Sequence, residues 1–184
     1  MREANVYAYG THLPLLTQAM LHTTGPVLEC GGGLCSTPVM HALCVRTEPQ
    51  RCMVTAEEKE SWFVGLQRQY ACPWHSVMHV RSWEQFFERM GRQWSVALVD
   101  NDDSRESGEK VCYENRLTVL KLLSPETVTI VHDTQHPYIA EDAWWKERVA
   151  SSPFVWTHEA CGIQTTLLAA RELPEIGERV CHRQ

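Results

Sequence analysis

The amino-acid sequence predicts an α/β fold, with a mostly parallel sheet covered by helices on both faces. Three observations carry that prediction. Short apolar runs end repeatedly in an acid, at Glu29, Glu57, Asp100 and Asp133, and in a parallel sheet all such carboxyl ends lie on one edge. Residues 94–99, WSVALV, are near-continuously apolar, as a central strand buried on both faces must be. Residues 27–37, VLECGGGLCST, read as a short buried strand, a tight turn and a helix start in one stretch.

In chain order, residues 9–21 open with Gly10, Thr11, His12, Leu13 and Pro14 and continue with Leu15, Leu16, Ala19 and Met20 at helical spacing. Thr11 or His12 is expected to cap this helix, with His12 also open as a site residue. The first strand follows at Val27, with Glu29 at its carboxyl end. Glycines 31–33 allow positive φ and close approach of a ligand to the backbone. Ser36 and Thr37 are expected to cap the next helix, which carries Val39, Met40, Ala42 and Leu43.

A second strand is expected over 51–55, running into Glu57 and Glu58. The following helix places Trp62, Phe63, Leu66 and Tyr70 on one face, read as core. A third strand, 76–80, leads through Arg81 to Ser82 and Trp83 and a helix with Phe86, Phe87 and Met90. The strand over 94–100 ends in the acidic run from Asp100 to Asp103, with a loop expected as far as Lys110. A helix over 111–123, a strand over 128–131 ending in His132 and Asp133, a helix over 140–150, and strands at 154–157 and 165–170 complete a seven-stranded sheet.

At 184 residues the chain is expected to be one domain, 1–184. A hydrophobic fraction of 43% and a charged fraction of 22% are those of a globular protein. No apolar run is long enough for a transmembrane helix, so no membrane partner is expected. The first residues lack a signal core, which points to a cytoplasmic protein. The eight cysteines contain no Cys-x-x-Cys pair and read as reduced, several of them as small buried residues. A formal net charge of −6 with no Lys/Arg cluster argues against nucleic acid as a partner. A small-molecule substrate is expected instead, and a homodimer is allowed.

The acid before the glycines would repel a phosphate, and no Gly-Lys-Ser/Thr ending follows, which disfavours a nucleoside-triphosphate loop. A carboxylate suits a ligand with a cationic part. The stretch Leu-Glu-x-Gly-x-Gly-x-x-Ser-Thr, from Leu28 to Thr37, resembles motif I of the class I S-adenosylmethionine-dependent methyltransferases. That resemblance implies a single Rossmann-like methyltransferase domain closed by a C-terminal antiparallel hairpin. It implies S-adenosyl-L-methionine as cofactor, over Glu29, Gly31, Gly33, Ser36 and Thr37, with His12 on one wall. Glu57, 24 residues past Gly33, matches the acid that accepts both ribose hydroxyls; Glu58 competes for the role. Ser82 and Trp83 occupy the adenine-flanking place, with helix packing the other reading of Trp83.

Asp100 resembles motif IV, where donor methyl and acceptor meet. Methyl transfer is an in-line displacement, and positioning alone supplies on the order of 7–11 kcal/mol in favourable systems. Asp100, His132 and Asp133 are the candidate bases; local hydrogen bonding is the other role open to His132. A magnesium ion on Asp100 and Asp133, as in some small-molecule O-methyltransferases of this family, is weakened by Thr134, which stands where the family has asparagine. No metal is expected. No Asp/Asn-Pro-Pro-Tyr/Phe signature is present, so O-methylation of a small molecule is the expected activity. A non-catalytic adenosylmethionine-binding domain and an NAD(P)-dependent oxidoreductase are the alternatives. Against the latter, Ser36 replaces the third fingerprint glycine.

Overall fold

Residues 10–102 and 108–174 are described by the structure, a computed structural model. In chain order the elements are α1 (Leu13–Leu21), β1 (Val27–Cys30), α2 (Ser36–Arg46), β2 (Met53–Glu57), α3 (Glu60–Tyr70), β3 (His75–His79), α4 (Trp83–Met90), β4 (Val96–Val99), α5 (Glu109–Leu122), β5 (Val128–Val131), α6 (Pro137–Ala140), α7 (Ala143–Ser151), β6 (Phe154–Ala160) and β7 (Ile163–Ala169). The loop expected after Asp100 falls in part on 103–107, outside the described residues, and Asp103 lies there too.

The seven strands form one sheet in the order β3-β2-β1-β4-β5-β7-β6. Strands β1 to β5 are parallel, and β7 runs antiparallel to both β5 and β6. The chain winds outward from β1 in one direction and from β4 in the other, so the switch point lies between these two strands. Ligands of such sheets bind outside the carboxyl ends there. The reversed hairpin turns on Cys161 and Gly162, both with positive φ (56° and 75°), as a two-residue primed turn requires.

Strand periodicity distributes the core. Leu28, Cys30, Val54, Ala56, Ala97, Val99 and Val131 face α4, α5, α6 and α7. Val27, Met53, Val96, Leu98, Val128 and Ile130 face α1 and α2, where Leu15, Leu16, Ala19 and Met20 are buried. Each fully buried leucine contributes about 1.5–3 kcal/mol, so α1 is held by its apolar side. The stripe on α3 is a correction: only Leu66 is buried, and Trp62 is 39% exposed. That helix covers the outer strands β2 and β3, where little sheet remains for it to bury.

Register builds the working edge. Cys30 stands opposite Ala56 and Val99, and Val99 opposite Val131. The next residue of each strand therefore falls in one row: Glu57, Gly31, Asp100 and His132. Among the described residues no helix is long and apolar enough to cross a membrane.

Candidate functional site

The bend after β1 is fixed by its neighbours on both sides. Gly31 N–H donates to Ala56 O at 2.8 Å, and Asp100 N–H donates to Cys30 O at 2.9 Å. Gly31 has φ +86°, and a Cβ there would strike the carbonyl oxygen of Asp100. Gly32 N–H donates to Glu57 Oε2 at 2.8 Å, and Gly33 N–H to Thr37 Oγ1 at 3.0 Å. The expected helix cap is corrected: Cys35 occupies the N-cap position without a side-chain hydrogen bond, and Ser36 and Thr37 are the first residues of α2. Thr37 serves the loop instead.

Glu29 is fully buried, not presented to a ligand at the strand end. The cause is alternation: on β1 its side chain shares the α1/α2 side with Val27, whereas Cys30 points to the other. Thr37 Oγ1 lies 3.0 and 2.9 Å from its two oxygens, and Thr55 Oγ1 donates to it at 2.7 Å. Thr55 Oγ1 is also 2.8 Å from His75 Nε2, and His75 Nδ1 is 2.9 Å from His41 Nδ1. Burial pushes His75 down to about 4, so its ring is neutral, with one nitrogen donating and the other accepting along this chain. A buried polar chain thus runs from the glycine bend to the partly exposed His41.

Burial pushes Glu29 up to about 7, against the opposing hydrogen bonds from Ser36, Thr55 and Thr37. The folded value lies above the ordinary 4.5. The folded chain therefore keeps a proton that the unfolded chain has released between about pH 4.5 and 7. Stability from this group is full below that window and is lost as pH rises through 7, by at most about 3 kcal/mol. The stability difference between wild type and Glu29→Gln should accordingly fall from pH 5 to pH 8 in urea titrations. A difference that stays flat across that range would show that Glu29 does not titrate there.

Glu57 ends β2 beside the bend, with Oε2 on Gly32 N–H and Oε1 on Lys59 N–H at 2.8 Å. Burial raises its pKa. Glu58 accepts from Trp83 Nε1 at 2.7 Å through Oε1, while Oε2 has no hydrogen-bond partner among the described residues. Trp83 packs on Phe86 and Phe87 within the core. Ser82 caps α4 by accepting from Gln85 N–H and donates to Glu84 at 2.8 Å. Glu57 and the glycines are thus together, whereas Ser82 and Trp83 are engaged in a helix cap and in packing.

On the other side of the bend, His132 is held from both ends. Its Nδ1 lies 3.2 Å from Asp100 Oδ1 and its Nε2 2.8 Å from Thr11 Oγ1. Burial disfavours the imidazolium, but the Asp100 carboxylate outweighs it and raises the pKa. Asp100 in turn is held well below the usual carboxylate range: His132 and Arg116 prevail over burial. His12 is at the N-cap position of α1 but makes no capping bond. It is 2% exposed, neither ring nitrogen has a hydrogen-bond partner among the described residues, and its ring meets His132 edge-on at 5.0 Å.

Sequence reasoning missed Arg116. Its Nη2 pairs with Asp100 Oδ1 at 2.8 Å and its Nη1 with Asp133 Oδ2 at 3.2 Å. It also donates to the carbonyls of Asn101 and His132 at 3.1 and 3.0 Å. One guanidinium thereby ties the carboxyl ends of β4 and β5 together. The available signal was an arginine inside the buried stripe of Tyr113, Leu117 and Leu120 on α5. Thr55 and His75 were missed as well, since neither residue type marks a site on a strand.

No protein-family model matches the chain, and no curated protein matches it in sequence. Solved structures share its fold. The CMeT domain of the citrinin polyketide synthase is 14% identical over 80% of this chain and 46% of that one, with a TM-score of 0.52. The human methyltransferase 10 domain containing protein is 12% identical over 88% and 81%, at 0.54. The T. thermophilus 16S rRNA N2 G1207 methyltransferase, in complex with AdoMet and guanosine, is 13% identical over 88% and 43%, at 0.54. The chain spans less than half the length of the first and third of these. At such identities the likeness establishes the fold, which is the Rossmann-like fold of class I methyltransferases.

The exclusion of nucleic acid is corrected by the same finding, because one structure with this fold is an rRNA methyltransferase with guanosine bound. The physical reason is that the net charge of −6 is a sum over the whole surface. It does not describe the edge where an acceptor would lie.

Proposed function

We propose that the chain is an S-adenosylmethionine-dependent methyltransferase working at the carboxyl edge between β1, β2 and β4. The observation that carries the reading is the glycine bend beside Glu57: the fold itself fills the Cβ side of Gly31 and Gly32 with β4 backbone and Leu66, while a Cβ at Gly33 would meet only Ser36 Oγ. Such a bend admits a nucleoside close to the backbone, and Glu57 stands where a carboxylate accepts paired ribose hydroxyls. S-adenosylmethionine supplies a methyl group on a sulfonium, ready for displacement. Glu29 acts from beneath, holding the bend through Thr37. His132, oriented by Asp100 and Thr11, accepts the proton that a hydroxyl or amino acceptor sheds. A hydroxyl acceptor fits that pair first, and both small hydroxylated molecules and RNA belong in the acceptor screen.

Calorimetry with S-adenosylmethionine and with NAD tests the reading. The expected result is binding of the former only, weakened at least tenfold by Glu57→Gln, which is about 1.4 kcal/mol. NAD binding without adenosylmethionine binding would overturn it. Formation of S-adenosylhomocysteine with an acceptor separates an enzyme from a domain that only binds the cofactor.

A further inference from the structure

We propose that His12, Asp100 and His132 form a site for a divalent transition-metal ion, zinc first, bound through two imidazoles and one carboxylate. Each residue offers a ligand atom, and these atoms all lie within 4.8 Å of one another. They come from three places in the fold: the start of α1, the end of β4 and the end of β5. His132 Nδ1 and Asp100 Oδ1 are 3.2 Å apart, close to the roughly 3.3 Å between two ligands of a tetrahedral ion with bonds of about 2.0–2.1 Å.

The second observation is His12 itself. A buried ring with neither nitrogen partnered among the described residues leaves a polar group unsatisfied, which in general costs about 1–3 kcal/mol. An ion shared with Asp100 and His132 gives that ring its partner. The outer groups are those that hold ligands in place. Thr11 Oγ1 fixes the far nitrogen of His132 at 2.8 Å, and Arg116 fixes Asp100 at 2.8 Å.

Charge and ligand type decide the ion. Asp100 and Asp133 against Arg116 leave one negative charge on the cluster, so a divalent cation is accepted. Arg116 holds Asp133 at 3.2 Å and keeps it as an outer group. The set therefore differs from an acid-only magnesium site on Asp100 and Asp133. Imidazole donors select zinc, cobalt or iron over magnesium, which takes oxygen ligands.

The site shares Asp100 and His132 with the methyltransferase reading and competes there with His132 as proton acceptor; it is tested without adenosylmethionine, so that either reading can fail alone. Chelator-treated full chain is titrated calorimetrically with zinc, with magnesium, and with cobalt(II) followed by visible absorption. The expected result is one zinc per chain, at least a hundredfold weaker in His12→Ala, with magnesium far weaker. The wild-type cobalt spectrum, which needs no variant to fold, should show d–d bands without the thiolate charge-transfer bands that the cysteines would give. Absence of zinc binding, binding unchanged in a folded His12→Ala, magnesium in preference to zinc, or thiolate bands would each overturn the proposal.

Discussion

Replacing Arg116 with methionine is expected to destabilise the fold by about 3–5 kcal/mol, the range for removing one partner from a buried ion pair. The residue is 4% exposed, and it pairs with Asp100, Asp133 and two strand-end carbonyls. Methionine fills much of the volume but supplies no donors. Two carboxylates then face each other across β4 and β5 with the guanidinium gone and His132 left as their partner. Both keep partial solvent access, 26% and 21%, so hydration relieves some of the loss and the lower end of the range is the firmer figure. In a chain of this length that corresponds to a fall in melting temperature of roughly 10 °C. Adding Asp133→Asn should recover part of it, because one of the two stranded charges disappears. A melt of Arg116→Met within about 1 kcal/mol of wild type would mean that the guanidinium does not hold this edge together.

That arginine also marks where reading the chain stopped. The strands were legible because a parallel strand buried on both faces leaves a near-continuous apolar run, and β4 and β5 are such runs. The acids at strand ends were legible because register sets the ends level. Which way an acid points was not. Glu29 sits on a strand whose four residues are all buried, so nothing in the local pattern separates the α2 side from the ligand side. Its partner Thr55 lies on β2, and His75, which bonds Thr55 in turn, on β3. Arg116 has the same difficulty, since an isolated arginine on a helix reads as solvated until the strand ends that need it are placed. His12 was legible only as a candidate, and its neighbour His132 stands just past the end of β5, far along the chain. Local signals gave the scaffold, and pairings between distant strands decided the chemistry.

The glycine bend separates space needed by the fold from space needed by a ligand. Gly31→Ala is expected to lose on the order of 3–4 kcal/mol. A left-handed residue with a Cβ costs about 1–2 kcal/mol, and the added methyl is driven into Asp100 O and to 2.6 Å from Asn101 Cα, an overpacking of typically 1–3 kcal/mol. The backbone cannot withdraw without breaking Gly31 N–H to Ala56 O and Asp100 N–H to Cys30 O. Gly33→Ala is different. Its Cβ would meet only Ser36 Oγ, at 3.2 Å, and its φ is outside the left-handed region, so stability should stay within about 1 kcal/mol of wild type. If the bend is a nucleoside cradle, that folded variant should still bind S-adenosylmethionine at least tenfold more weakly, because the methyl stands where the ligand must approach. Urea titration and calorimetry on the two variants then give opposite patterns: Gly31→Ala fails first in stability, Gly33→Ala only in binding. Undiminished cofactor affinity in Gly33→Ala would move the ligand away from the bend, and with it the role assigned to Glu57.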